Sequence, residues 1–179
     1  MWNELDVVRD VSHRLDVAGL QFMLTGSMAM NYYALPRMTR AIDIVVALVP
    51  ADAALIERSF APDYHVSGES VRDAISRHLM FNLIHEDSII KVDFIVRKCT
   101  PYRLIEFQRR QRINIEDFAT TIVSKEDLII SKLDWARDSR SDQQFGDIRN
   151  LLSTGCDTAY IQHWTGELGL SHLWLEFQS

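Results

Sequence analysis

Two apolar stretches do most to restrict the fold: AIDIVVAL (residues 41–48) and IIKVDFIV (residues 89–96). Both are rich in β-branched side chains and read as buried strands. Each is interrupted by one aspartate, Asp43 in the first and Asp93 in the second. Side chains alternate between the two faces of a strand. Ile42, Ile44, Val46 and Leu48 therefore share one face, and Ala41, Asp43 and Val45 the other. Likewise Ile90, Val92, Phe94 and Val96 oppose Lys91, Asp93 and Ile95. A carboxylate among apolar neighbours is costly unless a cation, hydrogen-bond donors or a metal compensates it. If the two strands lie in one sheet, their carboxylates can meet. Converging carboxylates suit Mg2+, a hard cation that takes oxygen ligands and substrate phosphates. Two plainer readings stand beside this one: Asp43 as a strand-end cap for a neighbouring loop, and Lys91 with Asp93 on a solvent face.

The rest of the chain supplies flanking helices. Leu5, Val8, Val11, Leu15 and Val17 form a helical stripe over residues 3–19, closed by Gly19. LQFMLT (20–25) reads as a buried strand, and Ser27 to Leu35 as a helix that stops before Pro36. Pro50 opens a helix to about Phe60. ESVRDAISRH reads as a short helix. LMFNLIH (79–85) and residues 89–96 read as a hairpin across EDS. PYRLIEFQRRQ is helical, and RINIEDFATTIV is one or two short strands. Ser124 with Asp127 forms a capping box for a helix over 125–138; further helices cover 142–153 and 157–168. The expected fold is α/β (α+β), with strands dominating the middle of the chain and helices flanking them. A core of residues 1–123 would carry a helical C-terminal part, 124–179.

Composition excludes several classes. The chain has 179 residues, 47% of them hydrophobic, enough for one domain with a sizeable core. A net charge of −6 provides no general attraction for nucleic acid, and the only dense basic run is Arg109–Arg110–Gln111–Arg112. Cys99 and Cys156 show no paired spacing, which speaks against a disulfide or zinc site and for a reducing, cytoplasmic setting. The six histidines lack metal-binding spacing. No leader-like apolar segment follows the N-terminus, and no run is long enough to span a membrane.

Two more features carry chemistry. Gly26-Ser27 joins a strand to a helix, where free backbone N–H groups and a hydroxyl can cradle a phosphate, although the same pair also makes an ordinary turn with an N-cap. Lys132 shares the apolar face of its helix with Leu128, Ile129, Leu133 and Ala136. A lysine there either snorkels or reaches a buried anion. Arg137, Arg140 and Asp147 follow in the same helical hairpin.

Together these residues resemble the nucleotidyltransferase superfamily, whose signature is an apolar residue, Gly, Gly or Ser, a gap, then acid–apolar–acid–apolar, and a third acid on a later strand. Leu24-Thr25-Gly26-Ser27 matches the opening, residues 28–40 the gap, Ala41-Ile42-Asp43-Ile44 the acid slot, and Asp93 the third acid. RMTRAID (37–43) is similar to an element of the AbiEii-like toxin nucleotidyltransferases, and residues 126–152 to their Lys…Arg…Asp segment through Lys132, Arg137 and Asp147. The resemblance implies a nucleotidyltransferase-type mixed sheet and transfer of a nucleotidyl group from an NTP. It implies two Mg2+ ions on the acids, with Asp43 bridging them and Asp93 holding the catalytic one. Gly26, Ser27 and Lys132 would hold phosphates, Arg37 would do the same or order its loop, and Arg137 and Asp147 would be in support. Ala41 departs from the pattern: the slot calls for an acid, and alanine ligates no metal. A natural loss of full activity, an Asp→Ala substitution silencing a toxic or self-modifying enzyme, and a shifted alignment all account for it. The intact remainder of the motif favours the second.

The leading expectation is a nucleotidyltransferase, impaired at Ala41, acting as a toxin of a toxin–antitoxin or phage-defence pair. Its acceptor would be an RNA end, with a tRNA end docked on Arg109, Arg110 and Arg112, or a protein hydroxyl. A cognate antitoxin protein would be its partner. The alternatives are a non-catalytic nucleotide- or partner-binding pseudoenzyme, favoured by Ala41, and an antitoxin-type nucleotidyltransferase, disfavoured by the long gap and the C-terminal helices. The apolar C-terminal stretch, Trp164 to Phe177, serves either core packing or an oligomer or partner surface.

Overall fold

The computed structural model describes residues 1–178. In chain order the elements are α1 (Glu4–Val17), β1 (Phe22–Thr25), α2 (Gly26–Tyr33), β2 (Ile42–Val46), α3 (Asp52–Phe60), β3 (Tyr64–His65), α4 (Gly68–Arg77), β4 (Met80–His85), β5 (Lys91–Val96), α5 (Pro101–Gln108), β6 (Gln111–Ile115), β7 (Phe118–Ile122), α6 (Lys125–Ser139), α7 (Asp142–Ser153), α8 (Thr158–Glu167) and α9 (Ser171–Leu175). The strands form one mixed sheet in the order β3-β4-β5-β2-β1-β7-β6. β2 and β5 run parallel, as do β1 and β7; the other neighbours are antiparallel. The flanking of central strands by helices is what the hydrophobic patterning predicts, and the mixed sheet is what the motif resemblance implies.

The alternation within β2 holds: Ile42, Ile44 and Val46 are fully buried, whereas Asp43 and Val45 are half-buried on the other face. β5 repeats this with Val92, Phe94 and Val96 against Asp93 and Ile95. The apolar faces join one continuous core with Val7, Val8, Val11 and Leu15 of α1, Ile56 and Phe60 of α3, and Val71 and Ile75 of α4. α1 packs on α3 and α3 on α4, while α2 packs on α6 and α7 in a second helical group.

α6 is the centre of that second group. Eight of its residues are buried, among them Lys132, and it contacts α2, α7, α8 and α9. Lys132 lies on the enclosed part of this helix and is itself buried, so it finds its partner inside rather than in solvent. The C-terminal stretch packs inward: Leu170, Leu173 and Trp174 are buried, and Leu175 is exposed.

Three details differ from the sequence reading. α3 begins at Asp52, because Asp52 Oδ2 accepts from the Val49 N–H at 2.8 Å and Asp52 N–H donates to the Val49 carbonyl, placing Pro50 in the turn that leads in. Ser124 caps α6 by accepting from the Asp127 N–H at 3.1 Å, but the Asp127 carboxylate does not complete the box. It is fully buried and accepts from Ser124 Oγ (2.6 Å), Tyr160 (2.7 Å), Tyr102 (3.0 Å) and Arg109 (3.0 Å), tying α5, α6 and α8 together. The short elements β3 and α9 had no periodic signal; two and five residues are too few to show one.

Candidate active site

The two strand aspartates are neighbours. Parallel pairing of β2 with β5 sets Asp43 opposite Asp93, and antiparallel pairing of β1 with β2 sets Thr25 opposite Asp43. Because α2 starts directly after Thr25, its first turn opens beside the Asp43 carboxylate. Gly26 has φ +65°, and a Cβ there would run into Asp43. Glycine is thus required twice, for the left-handed backbone and for the close approach. The N-cap Thr25 makes no side-chain capping bond, so the first N–H groups of α2 remain open to an anion.

Behind this turn lies a buried charge cluster. Arg37 reaches back from the loop after α2 and grips Asp147 of α7 with two bonds, Nε to Oδ1 and Nη2 to Oδ2, both 2.8 Å. The same Nη2 donates to Ser27 Oγ at 2.9 Å. Lys132 Nζ donates to Asp147 Oδ2 at 2.9 Å and to Gln144 Oε1 at 3.3 Å. Ser27, Arg37, Lys132 and Asp147 therefore form one connected group. Asp147 is the anion that Lys132 reaches.

These positions shift the proton affinities of the site's groups. Burial pushes the Asp43 carboxyl above the ordinary carboxylate range and the charge of Asp93 adds to this, while Lys132 and Lys91 pull it partly back. Burial pulls the Lys132 ammonium below its usual value, against the bond and charge of Asp147. Burial would raise Asp147, but the bonds from Arg37 and Lys132 prevail and hold it low. Asp93 pairs with Lys91 at 3.2 Å, the partner the solvent-face reading named, yet its own side chain is largely covered.

A cleft of about 510 Å3 opens onto this group, lined by Gly26, Ser27, Ala41, Asp43 and Lys132 at one end. Ala41 immediately precedes β2, is exposed, and stands on the same strand face as Asp43. A carboxylate at position 41 would therefore join the pair. The donor set present suits one hard cation, since Mg2+ is commonly held by one or two carboxylates with phosphate and water completing its shell. A second ion needs a third acid, and among the described residues no group of three or more His, Cys, Asp or Glu side chains is arranged to hold a metal.

Two expected contributors lie elsewhere. Arg137 donates to the Leu168 carbonyl at 2.8 Å and pairs with Asp134, bracing α6 against the end of α8. The basic run is largely engaged: Arg109 binds Asp127, Arg112 binds Asp16 at 2.6 Å, and Arg110 donates to the Phe107 carbonyl. This leaves little free charge for an RNA end at that surface.

The cleft also has a wall that the sequence reading did not single out. Glu106 of α5 is buried, accepting from Ser131 Oγ at 2.7 Å and from Arg103 at 3.0 Å. Burial raises its carboxyl, opposed first by Arg103. The signal was present: Glu106 lies four residues after Tyr102 on the inward face of an otherwise apolar helix turn.

No protein-family model matches the chain, and no curated protein matches it in sequence. Solved structures do. An antigenic nucleotidyltransferase-like protein from Paracoccidioides brasiliensis superposes with a TM-score of 0.58 at 20% identity, covering 84% of this chain and 75% of that one. A protein from Thermotoga maritima described as a candidate nucleotidyltransferase gives 0.56 at 19% identity, over 78% and 88%. A lincosamide antibiotic adenylyltransferase, solved with lincomycin, gives 0.54 at 13% identity, over 84% and 96%. At these identities the likeness is one of fold: the chain has a nucleotidyltransferase-like fold.

Proposed function

We propose that the cleft binds a nucleoside triphosphate with a divalent cation, and that the chain is a nucleotidyltransferase whose transfer step is impaired by Ala41. The observation that carries this reading is the register of Asp43 with Asp93, beside the Gly26-Ser27 helix start. In the reaction, an acceptor hydroxyl oxygen would attack the α-phosphorus. The bond from that phosphorus to the bridging oxygen would break, and pyrophosphate would leave. The acceptor proton would pass to a carboxylate, the role given to Asp93. Mg2+ bound through Asp43 and Asp93 would neutralise phosphate charge and polarise the reacting oxygens. The α2 N-terminus and Ser27 would hold phosphate oxygens. Lys132 and Arg37, kept in place by Asp147, would supply positive charge without reorganising.

The finer parts of the proposal rest on the motif resemblance: an NMP transferred to an RNA end or a protein hydroxyl, membership of the AbiEii-like group, and a cytoplasmic toxin paired with an antitoxin. Ala41 favours a second reading, a protein that binds nucleotide without turnover.

The test is to incubate this chain and the Ala41→Asp variant with each α-32P-labelled NTP, Mg2+, total tRNA and cell lysate. Label on RNA or protein with the variant alone identifies an enzyme limited at one metal ligand. Nucleotide binding without labelling by either form leaves the binding reading.

A further inference from the structure

The cleft extends well beyond Asp43, beside which Asp93 stands in register. Its lining continues along the same strand faces through Val45 and Ile95, and ends at Arg97 and Lys98, with Trp135 of α6 beside them. From Asp93 to Arg97 the chain advances four residues, about 13 Å of strand. The ends of the cleft are thus a small molecule's length apart.

The charges at the two ends differ. At the aspartate end Lys132 and Arg37 share the Asp147 carboxylate, and further along Arg103 is paired with Glu106. Asp134 is taken by Arg103 and Arg137, and Asp93 by Lys91. Among the described residues neither Arg97 nor Lys98 makes an ion pair, although Asp43 in the same cleft is also unpaired. The Arg97 Nε is buried with no hydrogen-bond partner, and its guanidinium lies over the Phe107 ring, 5.2 Å from the centroid. Arg110 covers the same ring at 4.2 Å. Burial, and then the charge of Arg97, pulls Arg110 below its usual value. Arg110 is turned to the Phe107 carbonyl and lines a separate cavity, which leaves Arg97 as the guanidinium that faces this cleft without an anionic partner.

We propose that this end of the cleft is an acceptor subsite for a phosphate-bearing molecule, held by Arg97 and Lys98, with its less polar part against Val45, Ile95 and Trp135. The subsite rests on the nucleotidyl-transfer reading, because the acceptor hydroxyl must reach Asp43 and Asp93. A cationic acceptor would face two unpaired cations and leave both uncompensated. A phosphate monoester, carrying about −1.5 to −2 at neutral pH, suits two adjacent cations better than a single carboxylate does. Arginine supplies the planar fork that grips its oxygens. Trp135, 38% exposed, offers a flat surface for a base or sugar.

Calorimetric titration tests this with the intact chain, both alone and with Mg2+ and a non-hydrolysable NTP analogue. The probes are ribose 5-phosphate, ribose, a single-stranded RNA trinucleotide, and the same trinucleotide with neutral methylphosphonate links. The variants are Arg97→Ala and Lys98→Glu; the second is at an exposed position and leaves the fold intact if the first does not. A phosphate-bearing probe should bind at least about tenfold tighter than its neutral counterpart. Either variant should remove that preference while changing analogue affinity less than twofold. Binding of ribose 5-phosphate alone identifies a small phosphorylated acceptor, and of the trinucleotide alone a nucleic-acid end. If the analogue binds but neither probe prefers phosphate, the subsite is overturned and nucleotide binding stands. If a probe binds through Lys98 but the analogue does not bind, the phosphate site stands and its role as acceptor subsite is overturned along with the nucleotide reading.

Discussion

Lys132 Nζ and Asp147 Oδ2 are 2.9 Å apart, with side chains only 1% and 5% exposed. A charge pair so withdrawn from water is costly to leave half-made. Asp147→Ala strands Lys132 inside α6 and takes the carboxylate from Arg37. It should cost about 3–5 kcal/mol in urea unfolding. Lys132→Met should cost clearly less, because Asp147 keeps its two bonds from Arg37. A loss from Lys132→Met equal to that from Asp147→Ala would show that Arg37 does not hold the carboxylate.

Asp43 gives a pH signature. Its folded carboxyl is raised, by burial first and Asp93 second. The native state therefore holds this proton more tightly than the unfolded chain, and stability falls as pH rises from the ordinary carboxylate range through the raised value. Asp43→Asn removes that loss. Without divalent cation the variant should melt roughly 2–4 °C higher than the parent at pH 7, for a gain of about 1 kcal/mol. The gain should disappear near pH 4. Mg2+ should raise the melting temperature of the parent and leave the variant unmoved.

Gly26→Ala should destabilise by roughly 1–3 kcal/mol, from the positive φ and the collision with Asp43. In an Asp43→Ala background the carboxylate is gone and only the backbone strain remains, so the penalty should shrink. Thermal melts of the four proteins give the coupling directly. Equal penalties in both backgrounds would mean that the close approach contributes nothing.

Asp127 and Arg112 separate buried from surface electrostatics. Asp127→Ala removes an acceptor shared by four side chains from three helices and should cost more than about 3 kcal/mol in chemical denaturation. Arg112→Ala removes an exposed pair with Asp16 and should cost less than about 1 kcal/mol.

What the sequence made legible was what depends on period and neighbours. The two-residue period placed Asp43 and Asp93 on the face away from the core, and the helical period placed Lys132 among Leu128, Leu133 and Ala136. The identity of partners was out of reach. Nothing in local pattern says that Asp147 answers Lys132, that Asp127 is drawn inward by Tyr102 and Tyr160, or that Arg137 turns to the Leu168 carbonyl, because each depends on how helices distant in sequence pack. Glu106 was half legible: its place on the inward face of α5 shows in the pattern, but its partner Ser131 lies a strand pair away along the chain.

The parallel register of β2 with β5 has a consequence during synthesis. Asp43 is made early, but its neighbour Asp93 lies fifty residues further on, and the pair meets only after β5 has been inserted beside β2. Lys132 and Asp147 emerge later still. A nascent chain that has released β5 but not α6 therefore carries Gly26, Ser27, Asp43 and Asp93 but neither Lys132 nor Asp147, and its cleft is incomplete. Whatever chemistry the finished protein performs is withheld from the nascent one until the first two helices after the last strand are made.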